Sequence, residues 1–197
     1  MITHWMIDDT ELFKQSIFSL NLIDDKSDES ISECLDKVVN NNFIGSGSFS
    51  MVYPLGKSDL VLKRVEDDES YHAYYKAVDN IHRMDIPNSI KRHFPSFRGY
   101  YYDKELDEHY YIIEKLEHQY MYSTDEADNM GCDLDYTLWY GIFKETFDEA
   151  LLLLNEQYEI ARNDIRHIQW DMRETNVMMR RSYNMDIVFV ITDPWFI

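Results

Sequence analysis

Leu12, Phe13, Ile17 and Phe18 recur at helical spacing after Thr10, which predicts a first helix capped by that threonine. In "SDESISECLDKVVNNN" the residues Ile31, Cys34, Leu35, Val38 and Val39 share one face, giving a second amphipathic helix that ends at the run from Asn40. From Phe43 the pattern changes to strands. "FIGSGSFSMVYPL" and "DLVLKRV" read as a hairpin joined across "GKS". "SYHAYYKAVDNIHRM" reads as a helix, followed by a loop punctuated by Pro87 and Pro95. "FRGYYYD" and "HYYIIEKLE" form two more strands about the polar turn "KELDE". A long helix is predicted from about Leu134 to Arg162, and "NVMMR" with "DIVFVIT" closes the chain as a hairpin across "RSYN". The order predicts an α+β fold with two lobes split near residue 117. Residues 1–42 form a helical extension, 43–117 a strand-rich lobe, and 118–197 a mostly helical one.

Composition narrows the function classes. The chain has 197 residues, 45% of them hydrophobic, enough to bury a core and too apolar for a disordered segment. It carries 37 acidic against 19 basic residues, a formal charge of −18. Binding a phosphate backbone needs a basic footprint, so direct nucleic-acid binding is not expected. The charge favours solubility and basic partners. Cys34 and Cys132 show no C-x-x-C spacing and read as reduced thiols of a cytoplasmic protein. The N-terminal stretch carries acids early and no long apolar run, so neither a signal peptide nor a membrane anchor is expected.

Three groups of residues carry candidate chemistry. In "GSGSFSMVY" the glycines Gly45 and Gly47 let backbone amides approach phosphate oxygens, although a G-x-G in a hairpin is also ordinary turn chemistry. Lys63 lies inside an apolar strand, at an edge or aimed at an anion, with Arg64 on the opposite face. Asp171, Asn176 and Asp193 form the third group. The "RSYN" turn makes the strands after Asn176 and before Asp193 antiparallel, so these two can meet at a hard divalent cation. Asp171 then remains to receive a hydroxyl proton.

Taken together, "GSGSFSMVY", "VLKRV", "YYIIEKLE", "DMRETN" and "ITDPW" resemble the protein-kinase-like family in order and separation, from about Phe43 to Phe196. The last two motifs are most similar to the early Ser/Thr protein kinases of short-tailed coliphages. The resemblance implies a minimal bilobal protein-kinase-like fold, with an antiparallel N-lobe sheet and a truncated C-lobe. It implies ATP and Mg²⁺ as cofactors. Gly45, Ser46 and Gly47 would cover the nucleotide phosphates, Lys63 would hold the α and β phosphates, and Glu114 to Leu116 would form the adenine hinge. Asp171 would be the catalytic base, Arg173 would steady the γ-phosphate, and Asn176 and Asp193 would hold the metal.

Several positions depart from that pattern. Gln169 and Trp170 stand where His and Arg are usual, so coupling to a phosphorylated activation loop is not expected. Pro194 and Trp195 replace Phe and Gly after the metal-binding Asp. Glu69, Tyr71 or Tyr74 would stand where Lys63 should find a Glu partner. No substrate-binding helical half follows Ile197, so a peptide would dock elsewhere, on the N-terminal helices or the acidic Glu117–Asp135 segment. The expected activity is phage-type Ser/Thr phosphorylation of host proteins, basic or nucleic-acid-associated, in the bacterial cytoplasm. Two alternatives stand beside it: a kinase-fold binding protein that inhibits a basic host factor, and a small-molecule phosphotransferase.

Overall fold

In the computed structural model the described residues are 6–25, 27–41, 43–47, 49–66, 69–117, 136–171, 176–181 and 187–196. They form a mixed α/β structure with an antiparallel sheet and several helices. The chain divides into two compact units, Met1–Asp68 with Ser96–Lys115, and Glu69–Pro95 with Leu116–Ile197.

The first unit is built on helices α1 (Met6–Ser19) and α2 (Asp28–Val39) and strands β1 (Gly45–Ser46), β2 (Ser50–Pro54), β3 (Leu60–Glu66), β4 (Phe97–Asp103) and β5 (Glu108–Glu114). The strands make one antiparallel sheet in the order β1-β2-β3-β5-β4. Alternation along β3 places Leu62 opposite Tyr53 and Ile112, and Lys63 opposite Val52 and Tyr111. The Leu62 face is covered by the N-terminal helices: Phe13, Ile17, Ile31, Leu35 and Val38 join Tyr53, Leu62, Tyr110 and Ile112 in one core. The N-terminal helices therefore cap the side of the sheet that faces away from Lys63. Arg64 sits on the helix-covered face and is neutralised there by Glu66 at 2.9 Å and by Glu108.

Helix α2 ends where its sequence indicates, with the Ser27 hydroxyl accepting from the Ser30 amide at the start and Asn40 at the close. Helix α1 differs from the sequence expectation. It is already helical at Met6, so Thr10 lies inside it rather than capping it. Its line of contact with β4 passes over Gly99, where Ser16 Oγ donates to the Arg98 carbonyl at 2.7 Å.

The second unit holds helices α3 (Glu69–Arg83), α4 (Asn88–Lys91) and α5 (Tyr136–Asp164). Its strands are β6 (Gln169–Trp170), β7 (Val177–Arg181), β8 (Ile187–Ile191) and β9 (Trp195–Phe196). β7 pairs with β8 and β6 with β9, each antiparallel. Helix α3 buries Tyr71, Tyr74, Tyr75, Val78 and Ile81 at helical spacing. Helix α5 buries Phe147, Ala150, Leu154 and Gln157 in the same way. The Glu117–Asp135 segment considered for peptide docking lies outside the described residues beyond Glu117.

His93 ties three elements of this unit together. Its Nδ1–H donates to the Phe189 carbonyl at 2.8 Å, which leaves Nε2 to accept from the Thr146 hydroxyl at 3.0 Å. The ring is fully buried and meets Phe147 edge-on, with centroids 5.3 Å apart. Burial holds its pKa below the ordinary histidine value, helped by Arg92 and Arg180 and partly opposed by the Phe189 bond. Folded His93 therefore binds a proton less readily than unfolded His93. Its stabilising contribution is complete above the unfolded value, about 6.5, and is lost as pH falls from there through the lower folded value. Thermal melts between pH 7.5 and pH 5 should show falling stability, and His93→Gln should flatten that dependence.

Candidate functional site

The second unit brings Asp171, Asn176 and Asp193 together through its backbone. Strand β6 lies along β9, with Gln169 opposite Phe196 and Trp170 opposite Trp195. The two unusual residues before Asp171 are thus paired with the two residues that close the described chain. The ladder carries on at the Asp171 amide, which donates to the Pro194 carbonyl at 2.6 Å. Asn176 Nδ2 donates to the Asp171 carbonyl at 2.6 Å, and the Thr192 amide donates to the Asn176 carbonyl at 2.8 Å. Asp171 and Asn176 are therefore bonded to each other and to the two residues that flank Asp193. Arg173 lies outside the described residues.

Asn176 and Asp193 carry the oxygen donors that a hard divalent cation would take, with water and phosphate completing its shell. Fixing Nδ2 of Asn176 on a carbonyl turns Oδ1 away as the amide's ligand atom, and a half-buried Asp193 adds a carboxylate. Among the described residues no group of three or more His, Cys, Asp or Glu gathers as a metal cage.

Helix α3 contributes to the same region. The Tyr74 hydroxyl donates to the Ile191 carbonyl at 2.5 Å, and its ring meets Trp195 edge-on with centroids 5.8 Å apart. Burial, then Tyr71 and Asp193, push the Tyr74 phenol well above its usual pKa, so it stays a donor. Tyr158 of α5 packs against Trp170 and Trp195, with centroids 5.5 and 5.7 Å away. Glu69, a candidate acid on α3, is exposed, while Asp79 is tied to Arg83 at 2.9 Å. The buried positions of α3 belong to Ser70, three tyrosines, Ala77, Val78 and Ile81. Sequence reasoning missed Tyr74 as a support of the loop. Its partner lies 117 positions away, which no local pattern reports.

The first unit holds the remaining predicted residues. Lys63 is buried on β3, between Val52 and Tyr111, on the face opposite the helices. Gly45 and Ser46 form β1, and the Gly47 amide donates to the Ser50 carbonyl at 2.8 Å across the turn into β2. Among the described residues the glycines at positive φ are Gly56 and Gly99, so neither motif glycine is required by a left-handed backbone. A Cβ at Gly45 would meet only ordinary contact with Val52 at 3.9 Å. At Gly47 a Cβ would come within 3.1 Å of Ser50 Oγ, so a side chain there would need that hydroxyl to shift.

At the predicted hinge, the Glu114 amide donates to the Ser96 carbonyl at 3.1 Å and the Lys115 amide to the Asp59 carbonyl at 2.8 Å. The Glu114 carboxylate accepts from the Ser96 amide at 2.7 Å. The first unit ends at Lys115, and Leu116 opens the return to the second.

No protein-family model matches this chain, and no curated protein does. Among solved structures that are similar is the kinase domain of maize sucrose-induced receptor kinase 1 bound to AMP-PNP, 15% identical with a TM-score of 0.40. The match covers 78% of this chain and 50% of that one, so the chain spans about half that structure's length. No helix among the described residues is long and apolar enough to cross a membrane.

Proposed function

We propose that this protein is an ATP-dependent phosphotransferase of protein-kinase type, passing the γ-phosphate to Ser or Thr hydroxyls of proteins. The observation that carries it is a set of three hydrogen bonds that join Asp171 and Asn176 to each other and to Thr192 and Pro194, the residues on either side of Asp193. Phosphoryl transfer asks a protein for positioning and charge neutralisation more than for a special nucleophile. Asp171 would accept the hydroxyl proton, and Arg173 would steady the γ-phosphate. Asn176 and Asp193 would hold Mg²⁺, which when bound neutralises charge on the phosphates. Lys63, on the third strand where the kinase pattern requires its lysine, would grip the α and β phosphates. Gly45, Ser46 and Gly47 would lie over them, and Glu114 to Leu116 would meet the adenine. The sequence motifs support the phage-type form of this activity, directed at host proteins, and the −18 charge favours basic acceptors.

The test is transfer of labelled phosphate from ATP with Mg²⁺, to the protein itself and to a basic protein acceptor. Lys63→Ala should lower the rate at least about a hundredfold, as loss of a charge-stabilising donor does. A variant that labels as fast as wild type rejects the reading. The −18 charge also suits a second reading, a kinase-fold binding protein without catalysis that holds a basic partner. Binding of a basic partner that survives Lys63→Ala, with no phosphate transfer by wild type, would select it. Release of ADP with small hydroxyl compounds, and none with proteins, would select a small-molecule phosphotransferase.

A further inference from the structure

The segment around Asp193 is held at both ends by one face of one helix. Tyr74 and Ser70 lie one turn apart on α3 and are both fully buried. The Tyr74 hydroxyl donates to the carbonyl of Ile191, and the Ser70 hydroxyl donates to the carbonyl of Trp195 at 3.3 Å. Those carbonyls stand two residues before and two residues after Asp193. The Tyr74 ring also lies edge-on to the Trp195 indole, so the same side chain touches both ends of the arc. Between the ends, the Thr192 amide is bonded to Asn176 and the Pro194 carbonyl to Asp171. The Ile191 amide is bonded to the His93 carbonyl at 2.9 Å.

A carboxylate can serve a hard cation only where its backbone sets the direction of its oxygens. Loss of a group that supports a ligand from behind costs about ten- to a hundredfold in metal affinity. Where a flexible Phe-Gly pair would let such a segment swing, this chain has Pro194 and a Trp195 anchored by α3. We propose that Tyr74, with Ser70, is a positioning residue for Asp193, locking the segment in the metal-binding arrangement without any activating event. The inference rests on the phosphotransferase reading for the role of Asp193, and adds that α3 holds the segment that carries it.

The experiment is a titration of the full chain with a fluorescent ATP analogue, first without divalent metal and then across a range of Mn²⁺ concentrations. Wild type and Tyr74→Phe are compared. The phenylalanine keeps the ring against Trp195 and removes only the donor to Ile191. Expected is an unchanged metal-free nucleotide affinity, with half-saturation by Mn²⁺ requiring about tenfold more metal in Tyr74→Phe. Ser70→Ala, which removes a hydroxyl from the other end of the arc, should shift the metal requirement in the same direction. If metal-free and metal-dependent binding weaken by the same factor, the residue is only structural and the proposal falls. It also falls if Tyr74→Phe needs no more Mn²⁺ than wild type. Should Tyr74→Phe fail to fold, the Ser70→Ala titration decides alone, and an unchanged metal requirement there overturns the proposal. A wild type whose nucleotide binding ignores metal altogether rejects the phosphotransferase reading itself, an outcome distinct from a Tyr74→Phe that matches a metal-responsive wild type.

Discussion

Asp193→Ala is expected to reduce phosphate transfer about a thousandfold, roughly 4 kcal/mol of transition-state stabilisation, while leaving the fold in place. The size follows from what the side chain would do. A divalent cation beside the phosphates would neutralise charge as the transferred group loosens, and in the proposed site Asp193 would be the charged member of the ligand pair with Asn176. The fold should survive because the segment's shape is fixed by main-chain bonds. The Thr192 amide reaches Asn176, the Asp171 amide reaches Pro194, and Ile191 is held through both its amide and its carbonyl. None of these uses the Asp193 carboxylate. Asp193→Asn sharpens the test by keeping an oxygen ligand of nearly the same shape and removing the charge. If neutralisation is the main contribution, Asn should fall close to Ala; if geometry alone matters, Asn should recover much of the rate. Initial rates at saturating ATP and Mg²⁺, with thermal melts to show equal folding, measure both. An Asp193→Ala protein within a few-fold of wild type would remove Asp193 from the reaction.

How much of this could be read beforehand depended on whether the signal was local. The strands around Lys63, Tyr100 and Phe189 were legible because β-branched and aromatic residues run in strand-length blocks. The meeting of Asn176 with the Asp193 segment was legible too, because two such blocks so close in sequence can pair only antiparallel. Strands β6 and β9 were not. Two residues carry no period, and the pairing of Gln169 with Phe196 is decided by tertiary register. That pairing changes the meaning of Gln169 and Trp170. They had stood out as replacements at a regulatory position, and they are the ladder that joins the Asp171 loop to the Asp193 segment. Helix α3 was visible as a helix from its spacing, yet its periodicity says only that Tyr74 faces inward. A hydroxyl bonded to a carbonyl far along the chain belongs to packing, which one helix's sequence does not encode. Thr10 shows the opposite error: a good capping residue was present, but the helix continues through it to Met6.

The largest loss of stability from a single added methyl should come at Gly99, far from the chemistry. In β4 this residue adopts φ +145°, a conformation L side chains rarely take, next to an irregularity in the pairing with β5. A Cβ built there would lie 2.3 Å from Phe13 Cα and 2.4 Å from Phe13 N. Those are backbone atoms of α1, so no rotamer change relieves the clash and the helix itself must lift. Lifting it exposes Phe13, which is fully buried and stacks on Tyr101 at 5.5 Å. It also stretches the bond from Ser16 to the Arg98 carbonyl. Overpacking and backbone strain each cost about 1–3 kcal/mol, so Gly99→Ala should destabilise by roughly 3 kcal/mol or more. Gly56→Ala is the matching control, since φ is +62° there and nothing lies within 4 Å of the added carbon. It should cost only about 1–2 kcal/mol, the backbone share alone. Urea unfolding of the two variants separates the contributions, and equal midpoints would show that the approach of α1 to β4 contributes nothing. Because α1 covers the sheet face away from Lys63, the folded fraction of Gly99→Ala should still bind nucleotide with wild-type affinity. A lowered affinity in that fraction would mean that the N-terminal helices shape the Lys63 face as well.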